Sequence, residues 1–214
     1  PMPAVLHKCN GLGALILNCY NKFKHFSLEH IMNKIDGFDA RSLVKKHYNL
    51  DTGDVLSTAG APLNYLYIVQ SGSIKHANIT EEGSEQVTDF YFAGDIIGLD
   101  GLSTHQHFCS LIALEPTHVC AISVADIEDL IKTMPLQEAL IGLLSRKLLD
   151  RTQSLLIQHQ HAEQKLAAFL LDLAKRFNKA DCSYQDYRLS MSRQEIGSYL
   201  HLSTETVSRI FSKF

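Results

Sequence analysis

Near the end of the chain, Thr204, Glu205, Ser208, Arg209 and Ser212 are spaced one to four residues apart. That spacing gathers side chains on one side of a helix. The residue types are those that read nucleic-acid base edges. An arginine fork pairs bidentately with guanine, a carboxylate accepts from the cytosine amino group, and a serine serves either base. Val207, Ile210, Phe211 and Phe214 fall at spacings of three, one and three on the other side. They give the helix an apolar face to bury, which leaves the polar face outward.

Such a helix must be held by its neighbours. Ser192 and Glu195 form an S-x-x-E capping box, so a preceding helix is expected to start there. Gly197 lies inside that helix, where the next would cross closely. Leu200-His201-Leu202 reads as the turn, and Ser203 can cap the second helix. Arg193, Ser203, Thr204 and Lys213 complete the candidate DNA contacts, with Lys213 acting through phosphate. The same pattern also suits a surface helix pair in an ordinary helical domain.

Other residues could carry different chemistry. His105-x-His107-x-Cys109 would share one face of a strand and could bind a metal or haem iron; it also reads as an exposed polar hairpin loop. Five cysteines, at 9, 19, 109, 120 and 182, are an odd number without close pairs, which argues against a disulfide scaffold. No nucleophile elbow, P-loop or H-E-x-x-H stretch is present, and no enzyme is expected.

Composition sets the frame. The 214 residues are 45% hydrophobic, enough for real cores in one or two domains. No apolar run reaches membrane-spanning length, and Pro1 to Lys8 lacks a secretory pattern, so a cytoplasmic protein away from membranes is expected. The net charge is −3, but from His161 onward eight Lys and Arg face six Asp and Glu. That part carries +2 and the remainder −5, the sign expected of a DNA-binding C-terminal part.

Taken in order, residues 1–30 have no clear pattern, and Ser27 to Ile35 reads as helical. From about Arg41 to Ser123, short apolar runs alternate with Gly-containing turns. Strands are expected at 55–58, 65–70, 73–79, 86–92 and 117–122, which indicates a sandwich or jelly roll. A short helix is expected over 123–134, followed by a long one from Pro135 to about His159. Ile141, Leu144, Leu148 and Leu155 make one apolar stripe on it. Gly142, Ser145, Leu149, Thr152 and Leu156 make another. Two stripes predict a helix buried on two sides. Gln158 to Ala162 is a polar break, and Glu163 to Asn178 a further amphipathic helix.

Glu205-Thr-Val-Ser-Arg209 resembles the E-x-x-S-R recognition helix of the Crp/Fnr family of bacterial transcription regulators. It is nearer the fumarate and nitrate reduction branch than the cyclic-AMP receptor branch. The latter has Arg and Gly where this chain has Thr204 and Ser208. Gly53-Asp54, Gly60, Tyr67 to Gly72, Phe92 to Asp95 and Gly98 resemble the turns of the cyclic-nucleotide-binding fold, so the likeness runs from about Tyr48 to Phe214. It implies an α+β protein: an N-terminal β jelly roll (1–134), a long dimerisation helix and hinge (135–160), and a C-terminal winged helix-turn-helix (161–214) whose wing is absent from this chain. It further implies a TTGAT-type half-site read by Glu205, Ser208 and Arg209. The homodimer would form through Gly142, Ser145, Leu149, Thr152 and Leu156, and RNA polymerase would be touched by the turn from Ile79 to Ser84, which also reads as an ordinary hairpin.

The resemblance bears on effectors too. Gly98-Leu99 and His107-Phe108 stand where the family's phosphate clamp has Gly-Glu and an Arg followed by Ser or Thr, so no cyclic-AMP response is expected. The oxygen-sensing branch holds an iron–sulfur cluster through four thiolates. Cys120 matches the position in the roll, but only Cys9 and Cys19 stand in the N-terminal segment, and a full cysteine set would need Cys109 or another ligand. Cys120 equally reads as a buried small side chain. With neutral Thr152 at the seam, a dimer competent in air is expected. The alternative function is a small-ligand or metal-binding sensor whose helix pair contacts protein, not DNA.

Overall fold

A computed structural model describes residues 43–130, 134–178 and 188–214. Cys9, Cys19, Cys182 and the helix expected at 27–35 lie outside the described residues. Among the described residues, eight strands form two antiparallel sheets. They are β1 (Val44–Leu50), β2 (Val55–Ser57), β3 (Tyr65–Ser71), β4 (Ser73–Ile79), β5 (Glu85–Phe92), β6 (Ile96–Ile97), β7 (Ser110–Ala113) and β8 (Thr117–Ser123). One sheet has the order β1-β8-β3-β6, the other β2-β7-β4-β5. The five expected strands are present within one residue at each end. β1, β6 and β7 were not anticipated. β1 carries exposed Lys45, Lys46 and His47 on a sheet edge, so it shows no apolar run. β6 is only two residues long.

The sandwich interior is built by alternation. Tyr67, Val69, Ile97, Val119 and Ala121 from one sheet meet Ile74, Tyr91 and Leu111 from the other. Gly72 turns β3 into β4 at φ 84°, and a Cβ there would lie 2.6 Å from Pro116 O, so only glycine fits.

Five α-helices follow among the described residues: α1 (Val124–Leu130), α2 (Met134–Gln158), α3 (Ala162–Asn178), α4 (Arg193–Leu200) and α5 (Thr204–Lys213). Val124 of α1 and Leu143 of α2 pack with Leu63, Leu66, Ile96 and Leu99 outside the first sheet. The two apolar stripes expected on α2 do not lie on opposite sides. Ile141, Leu144, Leu148, Leu149, Leu155 and Leu156 are all 41–69% exposed and form one broad open face with Ser145 and Thr152. The roll-facing side is largely polar. Lys147 Nζ sits 4.5 Å over the Tyr91 ring. Arg151 donates to Thr88 O at 2.7 Å and lies 3.5 Å from Asp89. An apolar-periodicity reading cannot see a side held through ion pairs and ring contacts.

The outer face of the second sheet is covered by the C-terminal helices. Ala77, Val87, Phe90, Phe92 and Leu114 of the roll share one core with Leu166, Phe169, Leu173, Met191, Ile196, Leu200, Val207 and Ile210. A bulge makes this possible. His76 pairs with Asp89 but Ala77 with Val87, leaving Thr88 as the extra residue. Val87 and Phe90, three apart, can therefore both face outward. Phe90 stacks obliquely on Phe169 and Tyr199, at 6.0 and 5.3 Å between centroids.

Candidate nucleic-acid interface

The helix pair forms as its caps dictate. Glu195 N donates to Ser192 Oγ at 3.2 Å, and Ser192 N to Glu195 Oε2 at 2.7 Å. The turn is set by His201 in the left-handed region (φ 54°) and by Leu202 N donating to Gly197 O at 2.9 Å. A Cβ on Gly197 would lie 2.6 Å from Leu202 O, which is the close approach that requires glycine. Ser203 then caps α5, accepting from Thr206 N at 3.1 Å.

On α5, Val207 and Ile210 are buried and Phe211 partly so. Phe214, expected on the same apolar face, is half exposed, because it is the C-cap beyond the last packed turn. Thr204, Glu205, Arg209, Ser212 and Lys213 are exposed and Ser208 partly so. The structure thus brings together Glu205, Ser208 and Arg209 on an open face. Arg193 stands apart from it, its guanidinium 5.6 Å from the Phe211 ring centroid. Lys213 pairs with Glu163 Oε1 at 2.6 Å. Glu163, at the start of α3, had no signal in the sequence, since its partner is 50 residues away.

The pair is seated on the roll by polar contacts around the shared core. β5 is the outer strand of its sheet, and Ser198 of α4 occupies its free edge. Ser198 Oγ donates to Glu85 O and accepts from Val87 N, both at 2.9 Å, while Gln86 Nε2 donates to Ser198 O at 2.7 Å. Lys75 Nζ bridges Glu85 and Glu195 at 2.7 and 2.8 Å. Burial would raise the Glu195 carboxyl, but Lys75 and the Ser192 cap hold it below its ordinary value. Arg176 of α3 ties the other end, pairing with Asp172 at 2.8 Å and donating to Phe90 O at 3.3 Å.

Inside the roll, the expected phosphate-clamp positions are occupied differently. Leu99 is buried among Leu63 and Leu66, and His107 is buried with its ring stacked on Tyr67 at 5.9 Å. The charged group there is a carboxylate. His76 Nε2 lies 3.4 Å from Asp100 Oδ2. Thr88 Oγ1 donates to His76 O at 3.0 Å and lies 2.7 Å from His76 Nδ1. One ring nitrogen faces a carboxylate and the other a hydroxyl, a setting that favours the protonated ring. Burial disfavours the charge, yet the hydrogen bonds to Asp100 and Cys109 raise the His76 pKa from 6.5 to about 9. Because the folded value is raised, its stabilisation is complete below pH 6.5 and is lost as pH climbs to about 9. The melting temperature is expected to fall across that window. His76→Gln should melt lower at the acid end and lack the fall; an unchanged slope in this variant would show that another group is responsible.

His105, His107 and Cys109 do not share a strand face. They lie in an irregular turn before β7, with His105 exposed at φ 55° and the other two buried. Among the described residues no three His, Cys, Asp or Glu are placed to hold a metal ion. Cys109 lies beside Thr88 Oγ1 at 3.7 Å, on the side of the second sheet that carries His76. Cys120 alternates with interior Val119 and Ala121, so it faces the outside of the first sheet, with its thiol 3.8 Å from Ile68 O. Cys109 therefore cannot join Cys120 in one ligand set, and the described thiolates do not by themselves fit a cluster. No helix among the described residues is long and apolar enough to cross a membrane.

Residues 48–134 match the cyclic nucleotide-binding domain and residues 164–214 the Crp-like helix-turn-helix domain. The chain is 38% identical to electron transport regulator A of Shewanella oneidensis, covering 85% of this chain and 73% of that protein. It is also 38% identical to the fumarate and nitrate reduction regulatory protein of Yersinia pestis, over 87% and 73%. Among solved structures, FixK2 from Bradyrhizobium japonicum superposes with a TM-score of 0.69 at 23% identity, covering 78% of this chain and 83% of that one. That likeness shows the fold.

Proposed function

We propose, from the premise that the chain belongs to the Crp/Fnr family of DNA-binding transcription regulators, that it reads a TTGAT-type palindrome as a homodimer. The observation that carries this reading is the outward row of Glu205, Ser208 and Arg209 on a helix pinned from behind by Val207 and Ile210. In a major groove, Arg209 would fork onto guanine O6 and N7, Glu205 would accept from a cytosine amino group, and Ser208 would serve either base. Thr204 and Ser203 at the helix start, and Arg193 on the preceding helix, would contact the flanking backbone.

The homodimer rests on the open face of α2. Six large apolar side chains stand exposed there with only Ser145 and Thr152 between them, more than a monomer in water usually leaves uncovered. A second copy of the same helix is its natural cover, with Gly142 and Ser145 allowing close approach. The dimer would set two recognition helices one DNA turn apart, which a palindrome requires. The hairpin tip at Thr80–Ser84, with exposed Glu81 and Glu82, is the surface we assign to RNA polymerase.

The effector reading follows from the roll interior. A cyclic nucleotide phosphate would meet Asp100 and find no guanidinium at His107, so nothing favours one dimer arrangement over another. Aerobically purified protein is expected to retard a duplex carrying TTGAT and its inverted repeat ATCAA, with affinity and melting temperature unchanged by millimolar cyclic AMP. Binding that appears only after anaerobic iron reconstitution and is lost in oxygen would overturn the effector reading and point to Cys9, Cys19 and Cys120. Absence of any duplex binding in either state would favour a sensor that acts through protein contacts.

A further inference from the structure

Glu205, Arg209 and Lys213 are spaced by four residues, so they stack along one side of α5. When the first two enter a groove, Lys213 is carried to the neighbouring backbone. Its ammonium is not left open. It is held at 2.6 Å by Glu163, in the first turn of α3. The two residues close a cleft between α3 and α5 that His161, Gln164, Thr206 and Arg209 also line. Glu163 is the one acidic residue among the lining residues of that cleft. Both partners are exposed, and an exposed pair of this kind is easily exchanged for another.

We propose that Glu163 is a positioning residue for DNA binding: it competes with the duplex for Lys213 and so limits sequence-independent affinity. This rests on the DNA-reading function above. With Glu163 present, a phosphate that takes Lys213 must first break that ion pair and then brings its own negative charge close to the Glu163 carboxylate. With a neutral side chain there, Lys213 is free to neutralise one more phosphate. The role is one of charge, so it leaves the base-reading residues, and hence discrimination between sequences, untouched.

The test is a salt titration of duplex binding by the full-length protein. Glu163→Gln is expected to bind both the palindrome and a scrambled duplex more tightly. Its slope of log affinity against log salt should be steeper by about 1, so the gain shrinks roughly threefold between about 50 and 200 mM. Glu163→Asp, which keeps the carboxylate, should behave as the parent. In a Lys213→Ala background the gain from Glu163→Gln should be clearly smaller. A slope equal to the parent's, or an equal gain without Lys213, would overturn the inference and leave DNA reading intact. A parent that binds no duplex at any salt would overturn both.

Discussion

Leu149→Glu is expected to leave the protein monomeric by light scattering and to abolish binding to the palindrome. Leu149 is exposed in the single chain, so the substitution removes nothing from its core, and the subunit should keep its fold and circular dichroism. In a dimer formed along α2, Leu149 meets its own symmetry mate and lies beside Leu148, Thr152 and Leu156. Two carboxylates would then face each other on an apolar seam without a cation among the exposed stripe residues. DNA binding falls with the dimer, because the second half-site is engaged at a high effective concentration only while the two domains are linked. That linkage is worth on the order of 100-fold to 10,000-fold. A Leu149→Glu protein that stays dimeric would place the seam elsewhere.

Arg209→Ala is expected to weaken specific binding by about 1–3 kcal/mol while leaving scrambled duplex nearly unaffected. Arg209 is exposed and no ion pair among the described residues engages it, so its loss should not shift the melting temperature. The sharper measurement compares duplexes that differ only at the guanine. The parent should discriminate between them, and the variant should not, because the bidentate donor pair is gone. Equal affinity of variant and parent for the palindrome would remove Arg209 from base reading. The contrast with Glu163→Gln is useful: one change alters sequence preference at constant charge response, the other the reverse.

The helix pair was legible in the sequence because its determinants are near neighbours. Ser192 with Glu195, Gly197 with Leu202, and Ser203 with Thr206 are each within five residues, and each makes the contact its residue types suggest. The strands that are short apolar runs bounded by turns, β3, β4, β5 and β8, were legible for the same reason. Periodicity reports which side of an element avoids water, and a cap reports where a helix begins.

Tertiary structure decided what covers each face. The roll-facing side of α2 is held through Arg151 and Thr88, 63 residues apart. Beyond Leu140 and Leu143 little on that side is apolar, so the stripe of Ile141, Leu144, Leu148 and Leu155 is open in the single chain instead of lying on the roll, next to the stripe expected to meet a second copy. Cys109 and Cys120 differ by 11 positions but face opposite sides of different sheets, which only the register of β7 and β8 settles. Ser198 closing the edge of β5, 113 residues before it, and Glu163 holding Lys213 are of the same kind. Charges and hydroxyls have no period to betray their partners; their pairing energy depends on distance and burial, and those exist only once the chain has folded.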